Sequence, residues 1–298
     1  MERMIFKLTG QFISFDMDEI LKRLGKGMDV TIKEIDATPE MQLARTCISY
    51  GHDTIYLNYR EGMRQNILNI MRKRGSAIIG DFGETVYEGD IAKGKRLDIV
   101  LGLPASGRST VLADRMSAEF HSRLIDNKET QKNIIEYNKG WGALITHKEA
   151  QTITDSLFHK SIERGENIVL VKVGKYAPEI IGDYIIPAKG KGYNVTVNLV
   201  DLNRNKAISR MLTDFVQNSN FRDPELIEKY APIGSENCVV NTYRILRKDF
   251  LVDGYSCWNN DVPKGEKAIL TEKSNIEGKF IDEAPKQIEK IPDNVITM

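Results

Sequence analysis

Three cysteines in 298 residues, Cys47, Cys238 and Cys257, stand far apart, form no CxxC pair and make no ligand-like cluster with the four histidines. Neither a disulfide framework nor a zinc site is indicated, and free thiols in a reducing compartment are expected. The chain also lacks any apolar run near the roughly 18 residues that a membrane helix needs. Its first residues, Met1–Leu8, are charged and only briefly apolar, without the shape of a secretory signal. Net charge is missing too: forty-two basic residues offset forty-two acidic ones. No overall field therefore draws the chain to nucleic acid or anionic lipid. These absences lead us to expect a cytoplasmic protein with neither a membrane nor a nucleic-acid partner. What is present is ordinary for a globular chain, 41% apolar and 28% charged residues, with enough length for one large core or two modest ones.

Three regions follow from the patterning. Residues 1–95 are mixed and carry no chemical motif. Helices are expected over Asp16–Leu24, over Glu40–Ile48 after Pro39, and over Glu61–Arg74, where Met63, Ile67, Ile70 and Met71 share a face. Gly89–Lys95 reads as a turn-rich joint. From Arg96 to Asp261 short apolar runs alternate with helical stretches. Leu97–Leu101, Arg123–Asp126, Asn167–Val173, Asn194–Val200 and Leu251–Trp258 read as strands, and Ser109–Ser122, Thr146–Arg164, Pro178–Lys189 and Asn203–Gln217 as helices. Buried β-branched strands separated by helices predict an α/β fold with a mostly parallel sheet flanked by helices. Residues 262–298 are rich in charge of both signs and poor in large apolar residues, and read as a polar, flexible tail.

The strongest chemical signal lies between the first of those strands and the following helix: Gly102, Leu103, Pro104, Ala105, Ser106, Gly107, Arg108, Ser109, Thr110. A loop of this kind wraps backbone N–H groups around a β-phosphate, and the helix behind it adds its positive end. Gly102 and Gly107 supply turns that a Cβ would obstruct. Ser109 stands where the hydroxyl ligand of Mg²⁺ is expected. Arg108 replaces the lysine of G-x-x-x-x-G-K-[ST]; it keeps the charge and can fork two phosphate oxygens, but it is bulkier and the exchange is not conservative. Chance produces such a pattern in a chain this long on the order of 1% of the time. The loop therefore predicts a P-loop NTPase core that binds a nucleoside triphosphate.

After the loop come Leu124-Ile-Asp126-Asn, Asn138-Lys-Gly140-Trp-Gly142-Ala, Thr146-His147-Lys148-Glu149-Ala, Gly165-Glu-Asn167-Ile-Val, Gly192-Tyr193-x-Val195, Ala207-x-x-Arg210 and Phe221-Arg222. In this order and spacing the stretch Leu97–Asp261 resembles the zeta-toxin family of bacterial toxin–antitoxin systems. The resemblance implies a kinase using ATP or GTP with Mg²⁺. It implies as usual acceptor the 3′-hydroxyl of UDP-N-acetylglucosamine, other family members acting on other nucleotide-like acceptors, and a small antitoxin protein as partner. It also implies that Arg210 and Arg222 hold the γ-phosphate in transit, as spreading phosphoryl charge requires, and that His147 and Glu149 face the acceptor. Two positions depart from the family pattern. Lys128 stands at the expected base position of Asp-x-Asp-Glu, here Asp126-Asn127-Lys128-Glu129. Val171 replaces a substrate-binding glutamate.

The residues allow competing roles. Asp126, at a strand end where α/β proteins bind ligands, is the preferred base or Mg²⁺ ligand, its rival role being to cap the next helix. Glu129 is the alternative base, against a solvated helix face. Thr146 with Glu149 spells a capping box, S/T-x-x-E. Lys172, with Lys175 beside Gly174, can rest against a phosphate or lie in solvent. The expected function is a kinase of UDP-N-acetylglucosamine or a similar nucleotide, the alternative a catalytically impaired nucleotide-binding regulatory protein.

Overall fold

A computed structural model describes residues 2–6, 12–16, 61–81, 83–140, 143–218, 225–248, 251–263 and 266–274. The expected helix Glu40–Ile48 and all but the first residue of Asp16–Leu24 lie outside the described residues. The chain divides into two compact units, one comprising Met1–Arg74, Ile125–Ser161 and Arg204–Ser235, the other Gly75–Leu124, Ile162–Asn203 and Glu236–Met298.

The second unit is built on a sheet. In chain order its strands are β5 (Arg96–Leu101), β7 (Ile168–Lys172), β8 (Asn194–Asp201), β9 (Gly254–Asn259) and β10 (Ile269–Lys273), together with β6 (Arg123–Asp126), which begins in this unit. The six-stranded order is β10-β9-β8-β5-β7-β6. β5 pairs in parallel with β7 and β8, and β8 with β9, while β10 runs antiparallel to β9. The central strand reads Arg-Leu-Asp-Ile-Val-Leu, and every residue after the arginine is buried. That burial follows from a strand with parallel neighbours on both edges and helices on both faces. The α/β class and parallel sheet expected from the sequence are thus observed.

Two helical layers cover the sheet. One is the continuous helical segment 108–119, which opens as a π-turn over Arg108–Ala113 and continues as α-helix over Asp114–Glu119. Its Val111, Leu112, Ala113 and Met116 close a core with Val100, Val169, Val171, Val200 and Trp258. Where one helix was expected over Pro178–Lys189, segment 177–190 likewise mixes α and π turns, and both it and Cys238–Lys248 pack on β8. Ahead of β5 lies a hairpin, β3 (Ser76–Ile79) with β4 (Thr85–Gly89), which the sequence reading missed. The joint after it is held by Asn167: its Oδ1 accepts from the N–H groups of Gly94 at 2.9 Å and Arg96 at 3.2 Å, and its Nδ2 donates to the Phe120 carbonyl at 2.8 Å.

The first stretch of the second unit begins at Gly75. The segment read as a flexible tail supplies β10, whose Ile269 and Lys273 lie opposite Asn259 and Ser256. The burial pattern of β10 alternates half-buried and exposed, so a one-sided edge strand was mistaken for a solvated tail.

The first unit holds the hairpin of β1 (Glu2–Phe6) and β2 (Phe12–Asp16) and the helices α1 (Glu61–Lys73), α3 (Asn127–Gln131), α4 (Ala143–Glu163, whose last two residues fall in the other unit), α6 (Arg204–Asn218) and α7 (Glu225–Tyr230), with segment 108–119 counted as α2. α1 buries Ile67, Leu68 and Met71, whereas Met63 is half-buried and Ile70, expected on the same face, is exposed. Arg204 ties α6 to the end of α7, its Nε donating to the Ala231 carbonyl at 2.8 Å and its guanidinium pairing with Glu228. Among the described residues no helix is long and apolar enough to cross a membrane.

Candidate active site

The loop leaves β5 at the point where the chain's crossovers diverge. β7 lies beside β5 on one edge and β8 on the other, and such a switch point at the carboxyl end of parallel strands is where open α/β sheets take their ligands. Gly102 and Pro104 are buried and pack the loop against the sheet. A Cβ on Gly102 would lie 2.8 Å from the Val200 carbonyl and would also collide with the Ser106 hydroxyl. Ala105 at φ 61° and Gly107 at φ 89° are both left-handed, a conformation costly for a residue with a side chain. Between them Ser106 is fully buried; its N–H donates to the Leu103 carbonyl at 3.0 Å, and its Oγ has no hydrogen-bond partner among the described residues. Arg108 and Ser109 are half-buried and Thr110 is exposed, its hydroxyl donating to the Gly107 carbonyl at 3.3 Å. The helix behind begins with a wider turn than an α-helix, a local irregularity that recurs at functional sites.

Other groups surround the carboxyl edge of this sheet. Lys172, at the end of β7, bonds the Tyr184 hydroxyl and lies 4.4 Å from the centre of its ring. Asp201 ends β8 and Asn260 follows β9; the sequence reading named neither. An acidic residue closing a buried apolar run was the available signal for Asp201, and Asn260 gives none. Burial pushes the Asp201 carboxyl up, the Leu202 N–H opposes it, and the Asp261 charge raises it further.

Asp126, Glu129, His147, Glu149 and Arg210 belong to the first unit. Asp126 accepts from the Lys128 N–H at 2.9 Å and so caps α3, the rival role foreseen for it. That cap keeps one carboxylate oxygen oriented. Glu129 binds cations on two sides, Arg74 at 3.4 Å and Lys132. His147 is exposed, with Nδ1 2.9 Å from Asn127 Nδ2. Glu149 is completely buried and accepts from Arg64 Nε at 3.2 Å. The capping-box reading of Thr146 and Glu149 is corrected: α4 begins at Ala143, and the Thr146 hydroxyl accepts from Gln131 Nε2 at 3.1 Å. Arg64 and Arg74, partners of Glu149 and Glu129, lie in the region where the sequence showed no motif. Arg210 is half-buried on α6, and Arg222 lies outside the described residues.

Burial alone would raise the Glu129 carboxyl, but the Lys132 hydrogen bond and the charges of Lys132, Arg74 and Lys128 outweigh it and hold the group below its ordinary value. A carboxylate held down in this way is a weak base for a hydroxyl at neutral pH. It also has a consequence for stability. A depressed folded-state value contributes stability above the unfolded value of about 4.5 and loses it as pH falls through the folded one. Glu129→Gln is therefore expected to flatten the acid limb of stability below about pH 4.5, measured by urea unfolding at stepped pH; parallel limbs for the two proteins would refute the assignment.

Among the described residues no group of three or more His, Cys, Asp or Glu side chains is set to hold a metal.

No family model and no curated protein sequence matches the chain. Solved structures do. A protein of the PezAT chromosomal toxin–antitoxin system of Streptococcus pneumoniae matches at a TM-score of 0.49 and 15% identity, over 68% of this chain and 78% of that one. The AvrRxo1-ORF1:AvrRxo1-ORF2 complex with ATP matches at 0.49 and 12%, over 80% and 72%. At such similarity the chemistry is read from the loop and not from these likenesses.

Proposed function

We propose that the chain is a P-loop phosphotransferase of zeta-toxin type, passing the γ-phosphate of ATP or GTP to a hydroxyl of UDP-N-acetylglucosamine or a similar nucleotide. The carrying observation is the loop at the carboxyl end of the central strand, with Ser106 buried and Ala105 and Gly107 both left-handed. Successive amides in such a turn converge on an anion. In this reading the loop amides and Arg108 hold the β- and γ-phosphates. Magnesium, once bound, supplies charge neutralisation on the phosphate oxygens, with Ser109 as its protein ligand. Asp126 accepts the proton of the acceptor hydroxyl, and Arg210 and Arg222 offset the charge that spreads over the moving phosphoryl group. His147, Glu149 and Lys172 remain the acceptor-side candidates. The resemblance supplies the expectation of an antitoxin partner.

A second reading is favoured by two residues. Arg108 stands in place of the loop lysine and Lys128 in place of the expected base, as suits a nucleotide-binding protein with impaired turnover. Mass spectrometry of sugar nucleotides, free nucleotides and NAD incubated with the protein and Mg·ATP separates the two. Phosphorylated product is expected from the wild type, with Arg108→Ala lowering kcat/KM at least 100-fold, about 2.8 kcal/mol at 1.4 kcal/mol per tenfold. Binding of Mg·ATP with no product from any acceptor favours the second reading. No binding at all excludes both.

A further inference from the structure

We infer that Asn260 is a positioning residue of the phosphate loop, setting the direction in which the Gly107 N–H meets the polyphosphate; the inference rests on the nucleotide-binding reading above. Asn260 is completely buried. Its Nδ2 donates to the Ser106 carbonyl at 2.7 Å, across 154 residues of sequence. Its own N–H donates to the Asp201 carbonyl at 2.9 Å. The side chain that grips the loop is therefore itself anchored to the end of β8, the strand next to β5.

The peptide it grips joins Ser106 to the left-handed Gly107, a residue little constrained by local preference. In a planar trans peptide the carbonyl of one residue and the N–H of the next point in opposite directions. Tying the Ser106 carbonyl to Asn260 turns the Gly107 N–H away from Asn260. Among the described residues that N–H meets no acceptor, whereas the Gly107 carbonyl is already taken by the Val111 N–H at 2.8 Å and by Thr110. Rotation of the Ser106–Gly107 peptide would exchange the donor for a carbonyl oxygen and present an anion with a negative dipole. Asn260 opposes that rotation. It also fills the space beside Gly107: a Cβ there would lie 2.7 Å from Nδ2, so asparagine and glycine fit as a pair.

Asn260→Asp tests the hydrogen bond with nearly unchanged shape. At pH 8 the ionised carboxylate can only accept, and it would face the Ser106 carbonyl oxygen. The Kd for Mg·ATP, measured by calorimetry, is expected to rise at least tenfold. A neutral carboxyl group can donate again, and burial favours that form. Relative to wild type at each pH, the deficit should shrink to about threefold or less near pH 5.5. A deficit that stays constant with pH would reduce Asn260 to packing, and an unchanged Kd at pH 8 would overturn its role outright. Should Asn260→Asp fail to fold, Asn260→Ser decides: its shortened hydroxyl is expected to weaken binding about tenfold, and wild-type affinity overturns the inference. A wild-type chain that binds no Mg·ATP would instead remove the nucleotide reading itself.

Discussion

Gly107→Ala is expected to weaken Mg·ATP binding at least 100-fold while the protein stays folded. Gly107 adopts φ 89°, where an ordinary residue costs roughly 1–2 kcal/mol. The added methyl would also approach Asn260 Nδ2 to 2.7 Å and Val111 Cγ2 to 3.1 Å, both in packed surroundings that yield little. The cheapest relief is a shift of the Gly107 backbone, and that moves the amide the anion needs. Calorimetry against Mg·ATP, with thermal melting as a check on folding, measures the outcome. Wild-type affinity in the folded variant would mean that the loop does not grip the polyphosphate through this turn.

The second large effect concerns the sheet beneath the loop. Arg96 clamps Asp98 with two hydrogen bonds, 2.6 and 2.8 Å, and its guanidinium lies 3.4 Å from the centre of the Phe120 ring. Thr196 donates to Asp98 at 2.6 Å, and Asn198 to Thr196 at 3.0 Å. Ser256 donates to Asn198 at 2.6 Å, and the Trp258 indole to Ser256 at 3.1 Å. A polar chain thus crosses β5, β8 and β9 on a face where each member has a neighbour to bond. Burial pushes the Asp98 carboxyl up, against the pull of Arg96 and Thr196, so the charge is costly and depends on its partners. Asp98→Ala would leave the Arg96 cation and the Thr196 hydroxyl without their acceptor. Loss of one member of a buried pair costs about 3–5 kcal/mol, a large fraction of ordinary domain stability. Urea unfolding should show that loss, and Asn at the same position, which keeps an acceptor oxygen, should lose less. A change under about 1 kcal/mol for the alanine variant would show that the chain is tolerated and not needed.

The loop and the parallel strands were legible because their signals are local. A continuous apolar run such as Leu97–Leu101, a glycine pair at fixed spacing and a helical stripe can each be read without knowing what packs against them. The β3–β4 hairpin and β10 were not legible, because their strands are short and half-exposed. Of the candidate site residues, Asp126 showed its capping role in advance, since that role depends on the next two residues. Glu149 misled for the opposite reason: it matches a capping box in sequence, yet its partner is Arg64, 85 residues away. Asn260 carries no local mark, because what defines it is the Ser106 carbonyl it reaches.

The two compact units exchange the chain repeatedly, each assembled from three separated stretches. Neither can be cut out of the gene as one uninterrupted fragment. A truncation at residue 95, where the sequence suggests a domain boundary, would remove the β3–β4 hairpin along with Arg64 and Arg74, the counter-ions of Glu149 and Glu129. Insertions, deletions and recombination in this protein are therefore constrained by both units at once, and its architecture is inherited whole.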